Sequence, residues 1–139
     1  MINTVLSIDD DKVTQLLNKF HLKAEKICTN VVAAYNGLEA IDFFKKLDNG
    51  EVSIDSFPEI IFIDLNMPIM DGWDFFDAFK RDFEHFEKKT KIFILSSSIN
   101  PADVERAKNE ESIVAFLAKP LNANNLKTVI NLLDINENI

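Results

Sequence analysis

The chain has 139 residues, 47% of them apolar, which is material for one hydrophobic core and leaves little room for a second domain. Its formal charge of −8, from 15 Lys and Arg against 23 Asp and Glu, argues against the basic face that a nucleic-acid backbone demands. No run approaches the roughly 20 apolar residues of a membrane span, and the N-terminus lacks the order of a signal peptide. The single Cys28, with only His21 and His85 beside it in the composition, makes neither an internal disulfide nor a zinc site. These features predict a cytoplasmic protein whose partner is another protein or a small ion.

In chain order, "TVLSI" (4–8) reads as the first strand, and Asp11 of the following "DDDK" is placed to cap a helix. That helix, "VTQLLNKFHL" (13–22), puts Val13, Leu16, Leu17 and Phe20 on one stripe. "ICTNVVA" (27–33) is the second strand. "LEAIDFFKKL" (38–47) is the second helix, with Leu38, Ile41, Phe44 and, less neatly, Phe43 on its apolar side. "LDNGEVSIDSFP" (47–58) reads as a loop, and "EIIFI" (59–63) as a strand that runs straight into Asp64.

After Asp71 and Gly72, which read as turn or cap residues, comes a third helix, "WDFFDAFKRDF" (73–83). Its Phe residues recur too often for one narrow stripe. "KIFIL" (91–95) is the fourth strand. The fourth helix has a full start signal: Asn100 as cap, Pro101 at the first helical position and Asp103 in the first turn. "IVAFLA" (113–118) is the fifth strand, and a last helix runs from about Ala123 to Leu133 behind Asn122 as cap. Residues 134–139, "DINENI", read as a frayed tail, so the domain is expected over 1–133 with no output domain after it.

Five strands alternating with five helices predict an α/β fold whose parallel sheet is covered on both faces, which accounts for strands that are continuously apolar. Ligands of such sheets bind at the carboxyl ends of the strands. The residues there are Asp9 and Asp10 after the first strand, Asp64 after the third, Ser96 after the fourth and Lys119 after the fifth. Carboxylates converging on one edge repel unless a cation sits among them, and hard oxygen ligands point to Mg²⁺. A lysine and a hydroxyl at the same edge suit a phosphoryl oxygen. With a carboxylate as acceptor, the chemistry would be phosphoryl transfer onto Asp64 itself. Taken singly, each of the other residues has an ordinary role as cap, turn or strand end. Asp64 does not, because its position at the mouth of an apolar run makes burial without a partner costly.

These residues carry a resemblance. The acidic pair Asp9-Asp10, the segment "DLNMPIMDG" from Asp64 to Gly72, Ser96, and the "KP" of Lys119-Pro120 are together similar to the response-regulator receiver domain of two-component signalling, in its chemotaxis-type single-domain form. The likeness covers essentially the whole chain and includes Asn36-Gly37 at the turn into the second helix. It implies a flavodoxin-like (βα)5 three-layer sandwich with strand order 2-1-3-4-5.

It further implies that Asp64 is the phosphoacceptor, that Asp10 and Asp64 bind Mg²⁺ directly, that Asp9 acts more through water, and that Asn66 contributes its backbone carbonyl. Lys119 and Ser96 would contact the phosphoryl group. Ser96 and Phe116 would form the switch, with Phe in place of the commoner Tyr removing a hydroxyl that could report it. The implied partners are a sensor histidine kinase or phosphotransfer protein upstream and an unknown protein target downstream, the chain being a monomer or weak dimer that catalyses only its own phosphorylation and dephosphorylation.

A phosphate shuttle in a phosphorelay would use the same site. A haloacid-dehalogenase-type hydrolase shares the Asp, Mg²⁺, Ser and Lys, but expects an acid two residues after the nucleophile, where this chain has Asn66.

Overall fold

The apolar runs form five parallel strands: β1 (Ile2–Ile8), β2 (Cys28–Ala34), β3 (Ile60–Ile63), β4 (Lys91–Ser96) and β5 (Ile113–Ala118). They lie in the order β2-β1-β3-β4-β5, the flavodoxin-like arrangement that the family resemblance implies. The structure, a computed structural model, describes residues 2–137, the last three as backbone alone. Helices α1 (Lys12–Ala24), α2 (Gly37–Asp48), α3 (Gly72–Asp82), α4 (Glu84–Glu87), α5 (Pro101–Lys108) and α6 (Ala123–Glu137) connect and follow the strands. The helix α6 runs past Leu133, where the sequence places its end, and the last two residues of the expected tail lie outside the described residues. No helix among the described residues is long and apolar enough to cross a membrane.

Alternation along the strands builds one core on each face of the sheet. Leu6, Ile8, Ile61, Ile63, Ile92 and Ile94 face α2 and α3, while Val5, Ile60, Phe62, Phe93 and Leu95 face Leu22 of α1 and Leu126, Val129 and Leu133 of α6. Cys28 packs in the second of these cores. The crowd of phenylalanines after residue 73 is resolved by a layer of rings: Phe44 of α2 has Phe75, Phe79, Phe83 and Phe86 within 4.4 to 6.4 Å, centroid to centroid. The single turn α4, which the sequence reading does not anticipate, exists to bring Phe86 into this layer after the backbone leaves the helical region at Phe83, φ −130°. A short 3-10 turn over Ile54–Ser56 also interrupts the long loop before β3.

Every expected cap is present. Asp11 accepts from Val13 N at 2.9 Å, Asp71 from Asp74 N at 2.8 Å, Asn100 from Ala102 N at 2.9 Å and Asn122 from Asn125 N at 3.0 Å. Each such bond satisfies an amide that a helix start leaves without an intrahelical partner.

The helix α1 turns the opposite way from an ordinary amphipathic helix. Val13, Leu16, Leu17 and Phe20 do share a face, but that face points outward, each residue between 50% and 69% exposed. The buried positions are Gln15, Asn18 and Leu22. Periodicity identifies which residues lie together and leaves open which way they turn. Here β1 offers α1 the polar side chain of Ser7 and the carbonyls at its end, and the inner face of the helix meets them with amides.

The helix α5 is attached in a third manner. It buries only Ala107, and it lies along α3 on three polar rungs. Trp73 Nε1 donates to Asp103 at 2.9 Å, Arg106 bonds Asp77 while its guanidinium stands 4.1 Å from the Trp73 ring centroid, and Lys80 pairs with Glu110 at 2.7 Å.

The two kinds of apolar residue are separated by mutation. Leu16→Ser or Phe20→Ser should leave the unfolding free energy within about 0.5 kcal/mol of wild type, whereas Phe44→Ala should cost about 3–5 kcal/mol. Urea unfolding of the three variants checks this, and an outward stripe that proved as costly as Phe44 would contradict the packing.

Candidate functional site

Strand register brings the predicted residues together. Ile8 pairs with Ile63, Ile63 with Ile94, and Ser96 with Ala118, so the next residues on β1, β3 and β5 are Asp9, Asp64 and Lys119. Two backbone bonds extend the ladder past the strand ends, Asp64 N to Ile8 O at 3.0 Å and Lys119 N to Ser96 O at 2.8 Å. The site is therefore as rigid as the sheet that carries it. The Lys119-Pro120 peptide is cis.

Lys119 Nζ stands 2.7 Å from Asp9 Oδ2 and 3.2 Å from Asp64 Oδ2. Both carboxylates are buried and Asp10 beside them is exposed. The other oxygen of each buried acid takes a backbone N–H, Asp11 N to Asp9 Oδ1 at 2.9 Å and Asn66 N to Asp64 Oδ1 at 3.2 Å. Burial pushes the Asp64 carboxyl above the usual carboxylate range. The Asn66 amide and the Lys119 charge pull it back, and the charge of Asp9 adds to the rise. For Lys119, burial favours the neutral form, but its bond to Asp9 and the charges of Asp64 and Asp9 outweigh burial and raise its pKa.

One ammonium among three carboxylates leaves the cluster short of positive charge. Asp9, Asp10 and Asp64 each offer an oxygen, all within 4.8 Å of one another, and hard oxygens at that spacing fit a small divalent cation.

The loop after Asp64 is held by close backbone approaches. Gly72 N donates to Leu65 O at 3.1 Å, and a Cβ on Gly72 would lie 2.6 Å from Asp64 O. Gly37, at the start of α2, donates to Met70 O at 3.0 Å, and its Cβ would lie 2.8 Å from that oxygen. Between them Ile69 has φ +69°, and Met70 N bonds Pro68 O at 2.7 Å, closing a γ-turn around a β-branched residue. Such a conformation stores about 1–3 kcal/mol of strain. Asp71 serves as the α3 cap, the ordinary role the sequence assigns to it.

Ser96 is buried at the same edge, yet its hydroxyl is engaged with its own loop. It donates to Ser98 O at 2.9 Å and accepts from Ser98 N at 3.3 Å. Phe116 is half-buried on β5 and packs against the core shared by α2 and α3. Asn66 presents its backbone N–H to Asp64.

The sequence reading passes over Gln15, whose Nε2 reaches Ser7 O, Asp9 O and Ala34 O at 2.9, 3.0 and 3.0 Å. Its signal was a Gln and an Asn three residues apart on the side of α1 opposite the leucines.

The raised carboxyl of Asp64 fixes a sign. Because its folded pKa exceeds its unfolded one, the ionised group costs stability at neutral pH, and that cost vanishes below about pH 4, where both states are protonated. In protein free of divalent cations, Asp64→Asn should therefore melt at a higher temperature than wild type at pH 7. The difference should close as the pH falls below about 4. Thermal unfolding across pH checks it, and a lower melting temperature for the variant at pH 7 would contradict the assignment.

The family model described as "Response regulator receiver domain" matches residues 5–131. The chain is 29% identical over 126 residues to the sensor histidine kinase CheAY of Helicobacter pylori, a match that covers 91% of this chain and 14% of that protein. It is 28% identical over 122 residues to the response regulator Rcp1 of Synechocystis, covering 88% of this chain and 80% of that one. Among solved structures, a two-component response regulator from Cytophaga hutchinsonii superposes with a TM-score of 0.84 at 32% identity, over 96% of this chain and 98% of the other. The chemotaxis response regulator CheY4 of Vibrio cholerae does so at 0.74 and 25%, over 95% and 99%. With its strand order, its acidic edge and a family match over nearly its whole length, the chain belongs to the response-regulator receiver domains.

Proposed function

We propose that this receiver takes a phosphoryl group on Asp64 from a histidine kinase or histidine phosphotransfer protein and passes the signal on by protein contact. The observation that carries this reading is the ammonium of Lys119 between the two buried acids, 2.7 Å from Asp9 and 3.2 Å from Asp64. It secures one side of the acceptor while Asn66 N holds the other. A carboxylate oxygen of Asp64 forms the new bond to phosphorus. The bond from phosphorus to the donor's imidazole nitrogen breaks, and its electron pair stays on that nitrogen. Lys119 neutralises charge on the phosphoryl oxygens.

Mg²⁺ would be held by Asp10 and Asp64 directly, by Asp9 through water and by the Asn66 carbonyl, and would offset the charge that gathers as acids and phosphoryl group meet. Ser96 would leave Ser98 to bond a phosphoryl oxygen, and Phe116 would turn inward on β5. The only chemistry assigned to the chain is formation and loss of its own phosphate, in the cytoplasm, as a monomer or weak dimer.

The outward face of α1 supports a protein as donor. Asp11 caps α1 and bonds Asp9, so the stripe from Val13 to Phe20 begins at the rim of the site. Four side chains fall short of the roughly 800 Å² per partner that a stable complex buries, which suits a partner that must leave after transfer. Lys12, Lys19 and Lys23 lie on the same helix, which has no acid in a chain of net charge −8. They call for a donor whose apolar helical face is flanked by carboxylates.

Acetyl phosphate with Mg²⁺ should label the wild type and leave Asp64→Asn unlabelled, as read by acid-gel shift and intact mass. Labelling of both, or of neither, rejects the proposal, and turnover of a free phosphate ester would point to a hydrolase instead. Leu16→Ser/Phe20→Ser should accept from acetyl phosphate at the wild-type rate. From a phosphohistidine protein that labels the wild type it should accept on the order of tenfold more slowly, the loss of about 1.4 kcal/mol of docking. Equal rates from the protein donor would remove α1 from the docking surface.

A further inference from the structure

Gln15 lies one turn into α1 with its side chain buried, and the cap, core and acceptor described above do not account for it. Its Nε2 meets three carbonyl oxygens, Ser7 O at 2.9 Å and Asp9 O and Ala34 O at 3.0 Å. An amide nitrogen carries two hydrogens, so the three acceptors share them. The orientation is fixed by chemistry, since exchanging Nε2 and Oε1 would aim an acceptor at three acceptors. The Oε1 atom is buried and has no hydrogen-bond partner. The side chain therefore keeps this pose although half of its polar capacity goes unused.

The three carbonyls are not scattered. Ser7 O and Asp9 O bracket the end of β1, and Ala34 O closes β2 and also accepts from Asp9 N at 3.0 Å. The oxygen of Asp9 belongs to the peptide plane that joins Asp9 to Asp10. A bond to it fixes the plane from which the two acids project.

We propose that Gln15 is a positioning residue of the acidic centre: its buried amide clamps the Asp9-Asp10 peptide against the end of β2 and so sets where those two carboxylates stand for a divalent cation. The cation itself rests on the function proposed above; the clamp does not. Asn18, one turn further along the same face, is a natural control. Its Nδ2 bonds Ser7 Oγ at 3.3 Å, and among the described residues it makes no hydrogen bond to the Asp9-Asp10 peptide.

The test uses Gln15→Leu and Gln15→Met, which fill similar space without N–H groups, with Asn18→Leu beside them. In metal-free protein, NMR reads the ¹³C carboxyl resonances of Asp9 and Asp10. Titration with Mg²⁺ then gives affinity, at a temperature where circular dichroism shows each variant folded. Both Gln15 variants should move the two carboxyl resonances and weaken Mg²⁺ by about 10- to 100-fold, the usual effect of losing a group that orients metal ligands. Asn18→Leu should leave resonances and affinity at wild-type values whatever it does to the melting temperature.

Unmoved resonances in whichever Gln15 variant folds would overturn the inference, as would an Asn18→Leu effect of equal size, which would mean general loosening of α1. Should the wild type bind no Mg²⁺, the cation reading fails on its own, and the carboxyl resonances still decide the clamp.

Discussion

The structure depends on one constraint: two carboxylates that would repel each other must stand side by side with little water to separate them. Parallel pairing of β1 with β3 puts Asp9 next to Asp64, and the apolar strands beneath leave neither acid anywhere else to go. The ammonium of Lys119, delivered by β5 from two strands away, makes that arrangement tolerable without making it comfortable. A balanced cluster would gain nothing from a further cation. This one is underbalanced, and the upward push on the Asp64 carboxyl comes first from burial, with the charge of Asp9 adding to it.

Around this constraint the polar and apolar parts of the sequence divide their tasks. Buried rings and branched side chains give the sheet its rigidity, and glycines at two helix starts let the loop after Asp64 lie against the strand ends where a methyl group would collide. The strained turn at Ile69 sits in that loop, between Asp64 and the α3 cap. Local strain at the site is sustained by a core that is conventional everywhere else.

Much of this was legible in the sequence. Strand ends could be read because each residue of the polar edge interrupts or follows an apolar run, as Asp64 does after "EIIFI", and caps could be read because Asp, Asn and Pro have position-specific chemistry. Two things were not legible. A helix with leucines on one side and amides on the other looks the same whichever side is buried, and only the neighbouring strand, with Ser7 and its terminal carbonyls, decides that Gln15 and Asn18 turn inward. The phenylalanines of α3 fit no single stripe because they serve a layer completed by α2 and α4, a contact between segments that periodicity within one segment does not contain. For Ser96 and Phe116 the family resemblance implies roles, and the structure shows only where they lie: a hydroxyl tied to Ser98 and a ring half inside.

The rungs between α3 and α5 have a mechanical consequence. Along α3 the groups run Trp73, Asp77, Lys80, and facing them run Asp103 and Arg106 of α5 and then Glu110, two residues past its end. A slide of α5 by one helical turn would bring Asp103 toward Asp77 and Arg106 toward Lys80, like charge against like, with nothing apolar beyond Ala107 to compensate. The helix that follows the Ser96 loop is therefore keyed like a toothed rack: it can lift away from α3 with all its rungs released together, but the charge pattern opposes creeping along it.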